Sequence, residues 1–232
     1  MKKFKDIKTV GMFCCHDNKT YLKKSLDNIA KYCNAGIYIN LNEATPEVSK
    51  IVKNHPSVTK WIETTNGGKL WSQGNVRTET VRMLDDIMPD IVINFDDDET
   101  SCNNLQEQLK KFWEDEQKKT FWFNGLYMWG DENHFRRDGL YKSMWNCRIF
   151  KWQPEITYNP YAGRGMPTTY ANLPREAKYF SDRPLFHYGY MTEEDRALKY
   201  KRNNSQACDP EFRKKRDKTI IIKEVPEELK KI

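Results

Sequence analysis

The chain has 232 residues, of which 38% are apolar and 31% charged, a length that suits one domain and can bury a core. An aromatic share of 13% excludes wholesale disorder. The net charge of +6 fits a phosphate-bearing partner, an anionic membrane or nucleic acid, and equally a merely soluble surface.

Lysines crowd the first eight positions, and residues 213–218 form a dense basic run. No apolar stretch approaches the ~18 residues of a membrane span. The one behind the basic start is too short for a signal peptide. The expectation is a soluble cytoplasmic protein, with peripheral membrane contact through basic patches left open. The six cysteines (Cys14, Cys15, Cys33, Cys102, Cys147, Cys208) form no CxxC pair and read as reduced thiols.

In chain order, residues 8–15 read as a buried strand. Leu22, Leu26 and Ile29 then fall at helical spacing, with Asn18 as a cap. A strand over 36–41, a helix opened by Pro46 and reaching Asn54, and a strand over 57–62 follow. After a glycine-containing loop at 65–69, residues 70–88 read as helix, with Val81, Leu84 and Met88 on one face. Gly74 weakens its first turn and Pro89 ends it. Residues 90–95 read as a central strand of a parallel sheet. Leu105, Leu109 and Phe112 mark another helix, and 121–129 an aromatic strand.

This alternation implies an α/β fold: an open, twisted, mostly parallel sheet with helices on both faces. Its ligand edge lies at the strand C-termini. Beyond residue 130 the alternation fades. Residues 152–174 read as ordered loop, 192–202 as helix and 219–222 as strand, with a last helical turn from Pro226. The division expected is one catalytic domain over 1–209 and a basic extension over 210–232.

The strongest local signal is NFDDDET, residues 94–100, just past the 90–95 strand. Four adjacent carboxylates cost about several kcal/mol of repulsion unless something positive neutralises them. A hard cation, Mn²⁺ or Mg²⁺, would do so and would clamp a diphosphate. In an extended segment Asp96 and Asp98 share one side and Asp97 takes the other.

Four segments carry a resemblance: FCCHDN after the first strand, WSQGNVRTETVRML, INFDDDE, and RPLFHYGYMTEEDRALKYKRN late in the chain. In this order and separation the chain resembles the family 2-like glycosyltransferases with the nucleotide-sugar-binding fold called GT-A. The resemblance implies Asp98 as main metal ligand, Asp96 at the ribose or bound indirectly, and His187 approaching the metal or diphosphate. It implies Arg77 and Asp17 near the nucleoside, with Asp97, Trp71, Lys199 and Arg202 as further donor-binding candidates.

The donor implied is a nucleoside-diphosphate sugar, with UDP favoured, and the acceptor a saccharide or other hydroxyl. An inverting enzyme of this type needs a carboxylate base. Asp131 and Glu132 are candidates, and Glu155 a third. Glu155 follows Pro154, where many relatives carry a His-Glu pair. Trp122, Phe123, Tyr127, Trp129, Trp145 and Trp152 offer flat faces to sugar rings. Competing readings are a transferase acting on modified bases in DNA, a nucleotidyltransferase, and a non-catalytic binding module.

Overall fold

The computed structural model describes residues 2–67, 72–142, 144–154, 156–158, 173, 176–198 and 220–230. In chain order they form β1 (Thr9–Cys15), α1 (Leu22–Ala30), β2 (Ile37–Asn42), α2 (Pro46–Asn54), β3 (Val58–Thr64), α3 (Gln73–Arg82), β4 (Ile91–Ile93), β5 (Glu99–Ser101), α4 (Leu105–Glu114), β6 (Thr120–Trp129), β7 (Asp131–Arg136), β8 (Trp145–Lys151), β9 (Lys178–Phe180), β10 (Leu185–His187), β11 (Ile222–Glu224) and α5 (Glu227–Lys230).

The sheet runs β11-β7-β6-β8-β4-β1-β2-β3, with β5, β9 and β10 attached beside β6. Its first four strands, β3-β2-β1-β4, are all parallel. β8 then pairs antiparallel with both β4 and β6. The fold is therefore an α/β sheet, parallel where strand and helix alternate and mixed beyond.

Alternation sorts each parallel strand between two cores. Phe13 and Cys15 of β1, Ile37, Ile39 and Leu41 of β2, and Ile91 and Ile93 of β4 pack with α1, α2 and α4. Val10, Met12, Tyr38 and Val92 face the opposite way, toward Val81 of α3 and Leu84. Helices thus cover both faces, as two-sided apolar strands require.

The local signals explain the boundaries. Thr45 caps α2, accepting from the Val48 N–H at 3.4 Å, and Pro46 takes its first position. Ser72 caps α3 through the Asn75 N–H at 3.3 Å. That cap starts the helix later than residue 70, and it ends at Arg82, short of Pro89. Asn18 does not cap α1. Its carbonyl accepts from the Tyr21 N–H at 3.3 Å in the turn before the helix.

Strands β5, β7, β8, β9 and β10 were not expected from the sequence. The 210–232 segment contributes the outermost strand, which pairs antiparallel with β7, and Val225 to a small core under β7. The strand expected at 219–222 is found at Ile222–Glu224. Cys14, Cys15, Cys33, Cys102 and Cys147 are free thiols, and Cys208 lies outside the described residues. Among the described residues no helix is long and apolar enough to cross a membrane.

Candidate active site at the strand ends

β1 and β4 are adjacent and parallel, so the loops after them leave the sheet at one edge. The Asn18 amide donates to Asp97 at 3.3 Å, tying the two loops together. Asp17 lies in the first of them. After β4 the chain makes a tight turn. The Glu99 N–H donates to the Asp96 carbonyl at 3.1 Å, and the Asp96 N–H to the Glu99 carboxylate at 2.9 Å. β5 then pairs antiparallel with β10, placing Glu99 opposite His187. The Tyr188 N–H donates to the Asp98 carbonyl at 2.8 Å. These backbone bonds set His187 Nε2 at 3.6 Å from Asp98 Oδ1.

Asp96, Asp98 and His187 each offer a ligand atom, and these lie within 4.8 Å of one another. Octahedral Mg²⁺ or Mn²⁺, with ligands at about 2.1 Å, sets them about 3–4 Å apart, so the three fit such an ion with small adjustment. Asp96 and Asp98 share the group while Asp97 turns to Asn18, an arrangement set by the tight turn and not by the alternation of an extended segment.

The acidic run is not neutralised only from outside. Arg77 of α3 contacts Asp96. Arg148 of β8 reaches Asp96 at 2.5 Å and grips Glu99 with two bonds of 2.7 Å. Two guanidiniums stand against the carboxylates of Asp96 and Glu99. The arginines thus supply much of the compensation that the sequence reading assigned to a cation.

Burial acts to raise the pKa of Asp96, but Arg148 and Arg77 together outweigh it and hold the carboxyl below its usual 3.8. Burial pushes Glu99 up to about 7 against the pull of Arg148. Burial also pushes the Cys14 thiol, bonded to Thr80 at 3.2 Å, up to about 11, which keeps it protonated and inert.

Arg77 is 1% exposed and sits 6.0 Å from the Tyr158 ring. Its Nε and Nη1 find no hydrogen-bond partner among the described residues, nor does the Asn94 carbonyl, whose amide donates to the Tyr158 hydroxyl at 2.8 Å. Buried unpaired donors of this kind cost about 1–3 kcal/mol each.

On the other side, Tyr127 of β6 pairs in register with His187, their rings 4.9 Å apart. Tyr141 and Tyr190 extend this layer, with hydroxyls 3.2 Å apart. Trp129 stacks on Tyr190 and lies under the Arg136 and Arg196 guanidiniums.

The structure thus brings Arg77, Asp96, Asp98 and His187 together. Asp131 and Glu132 lie on the exposed start of β7. Asp131 accepts from His134 at 2.8 Å, which with the Asn133 N–H holds its carboxyl below the usual range. Glu132 pairs with Lys24 at 2.6 Å. Trp71, Glu155, Lys199 and Arg202 lie outside the described residues.

Sequence reasoning missed Arg148, Glu99 as the partner of Arg148, and Asn94. Arg148 had a readable signal: it is a cation set between Cys147 and the apolar pair Ile149 and Phe150. It sits where the β6–β8 register steps from Phe121↔Ile149 to Trp122↔Cys147, skipping one residue. Such a bulge re-aims a side chain, here into the acidic turn.

Compared with protein-family models and with curated proteins, the chain gives no match. Among solved structures it is similar to residues 1–349 of S. aureus TarS in complex with UDP-GlcNAc. The identity is 12% and the TM-score 0.40, over 53% of this chain and 34% of that one. A second structure of S. aureus TarS gives 12% identity and a TM-score of 0.45, over 62% and 28%. The chain spans about a third of the length of those proteins. A likeness this distant carries no argument about reaction or ligand.

Proposed function

We propose that the chain is a metal-dependent glycosyltransferase that moves a sugar from a nucleoside-diphosphate donor to a hydroxyl acceptor. The observation that carries the reading is the convergence of Asp98 and His187 at the ligand edge, 3.6 Å apart, beside a buried arginine with unpaired N–H groups. UDP is favoured by the resemblance of the opening and acidic segments.

In this reading Asp98 and His187 hold Mn²⁺ or Mg²⁺ directly. Asp96, whose oxygens also accept from Arg77 and Arg148, keeps a second lone pair on each oxygen and is the third ligand candidate. The Gly189 N–H donates to His187 Nδ1 at 3.2 Å, which places the ring proton on Nε2, so ligation through Nε2 requires that proton to move to Nδ1 and the Gly189 bond to be given up. The ion would offset charge on the departing diphosphate. The free N–H groups of Arg77 match oxygen acceptors of the nucleotide.

Transfer forms a bond from the acceptor oxygen to the anomeric carbon and breaks the bond from that carbon to the diphosphate oxygen. The acceptor proton passes to a carboxylate, for which Asp131, Glu132 and Glu155 remain the candidates. Exchanging each for its amide separates them, because the base is the one whose loss stops turnover while donor binding persists.

The experiment for the reading as a whole is a thermal-shift screen of nucleoside diphosphates and nucleotide sugars, with and without Mn²⁺. A ligand at 100 times its Kd raises stability by about 2.7 kcal/mol. A metal-dependent shift with one diphosphate supports the reading and names the base. No shift with any of them removes it.

A further inference from the structure

The hairpin between β6 and β7 carries a side-chain pair that takes no part in the metal and donor contacts described above. His134 Nδ1 stands 2.8 and 2.9 Å from the two carboxylate oxygens of Asp131 and donates its proton to them. The Asn133 N–H donates to the same carboxylate at 2.7 Å and fixes it in turn. A neutral imidazole with its proton on Nδ1 keeps a lone pair on Nε2. Nothing among the described residues bonds that Nε2, and the side chain is 40% exposed. An oriented carboxylate, an imidazole held in one tautomer and an open Nε2 are the parts of a general base.

The pair stands at the ligand edge, on the sheet face that carries His187. β6 runs parallel to β10 with Tyr127 level with His187, and it continues past that level to Trp129 and the hairpin. β7 returns antiparallel and brings Arg136 level with Tyr127. His134 is two residues from Arg136 and shares its face. Contacts identify that face as the aromatic layer. The Arg136 guanidinium lies 4.3 Å from the Tyr141 ring and 5.4 Å from the Trp129 ring, and Tyr141 packs on Tyr127 beside His187.

Two ties hold the hairpin over the segment that follows His187. The Gly130 N–H donates to the Met191 carbonyl at 3.0 Å. Glu132 bonds Lys24, whose ammonium lies 4.2 Å from the Tyr188 ring. Two strand spacings across and two residues along put the His134 and His187 Cα atoms about 12 Å apart, a gap in which a donor sugar and an acceptor hydroxyl can meet.

We infer that His134 is the catalytic base of the transfer and that Asp131 is the positioning residue that orients it. The inference rests on the transferase reading and states how Asp131, one of the carboxylates weighed there, enters it. The acceptor oxygen bonds to the anomeric carbon while the bond from that carbon to the diphosphate oxygen breaks. The acceptor proton passes to His134 Nε2. Asp131 stabilises the imidazolium so formed, which then gives the proton to solvent.

The test follows UDP release from UDP-glucose and UDP-galactose with Mn²⁺, with water as the acceptor, beside the calorimetric Kd for UDP. Water must lose a proton as any acceptor hydroxyl does, so its reaction reports on the base. His134→Ala should slow release about 100-fold or more with the UDP Kd unchanged, and free imidazole should restore at least about tenfold. His134→Gln keeps a donor for Asp131 but supplies no base, so it should be as slow as His134→Ala. Asp131→Asn should slow release about tenfold or more, through loss of the tautomer. Circular dichroism checks the fold of each variant.

Unchanged release in His134→Ala overturns the inference. So does recovery in His134→Gln without recovery by imidazole, which would make the pair a brace for the hairpin only. If the wild type binds no UDP with Mn²⁺, the transferase reading fails and takes the base with it. With that binding intact, the variants judge the base alone.

Discussion

Asp98 and His187 come from separate halves of the chain, yet the backbone fixes both: the N–H of Tyr188, next to His187, donates to the carbonyl of Asp98 at 2.8 Å. The carboxylate and imidazole therefore face each other because two strands pair, not because their side chains seek one another.

That scaffold depends on charge supplied from behind. Arg148→Met should destabilise the protein by about 3–5 kcal/mol, since it strands Asp96 and Glu99 with less compensation in a buried site. Arg148→Lys should recover part of this, lacking the two-pronged grip on Glu99. Urea unfolding of both variants checks the order, and equal midpoints for Met and wild type would contradict it.

The same cluster sets two pH limbs of opposite sign. Asp96 has its folded pKa below 3.8, so it contributes stability that is present above pH 3.8 and lost as pH falls through the lower folded value. Glu99 is raised from 4.5 to about 7, so it contributes stability that is full below pH 4.5 and lost as pH rises through 7. Relative to Glu99→Gln, the wild type should lose stability between pH 4.5 and 7. Relative to Asp96→Asn, it should lose stability below pH 3.8. Urea midpoints across pH test both, and parallel profiles would refute the assignment.

Gly125 leaves room for the ring that backs His187. A Cβ there would stand 2.9 Å from the Tyr127 ring. If His187 holds the ion as proposed, Gly125→Ala should displace Tyr127 from beside it and weaken Mn²⁺-dependent nucleotide binding about tenfold. Calorimetric titration measures it, and unchanged affinity would separate Tyr127 from the site.

Gly36 tests the fold alone. It has φ +89, and an added Cβ would meet Thr59 Oγ1 at 1.9 Å. Gly36→Ala should cost about 1–3 kcal/mol while sparing nucleotide affinity. A stable variant with lost affinity would reverse that expectation.

The legible part of the fold was the part with regular periods. Pro46 and the apolar positions behind it gave α2 to the residue, and the unbroken run Ile91–Ile93 marked β4 as central. β7 was hidden because Asp131–Arg136 opens with polar residues on an exposed hairpin. β8 was hidden because its alternation breaks at the Arg148 bulge. β5 is three residues long and polar at both ends.

In the site, the run at 96–99 stood out by residue type, and His187 entered through the family resemblance of its segment. Arg148 did not, because its partners become visible only when β8 lies against β4. The charge argument pointed to the right turn in the chain but credited a cation with work that two arginines share.

The most direct test is to titrate Mn²⁺ into protein saturated with UDP, following the free-ion signal by electron paramagnetic resonance. The account predicts one tightly held ion in the wild type, none retained by Asp98→Ala, and retention at least about tenfold weaker in His187→Ala. Equal uptake by all three proteins would contradict it.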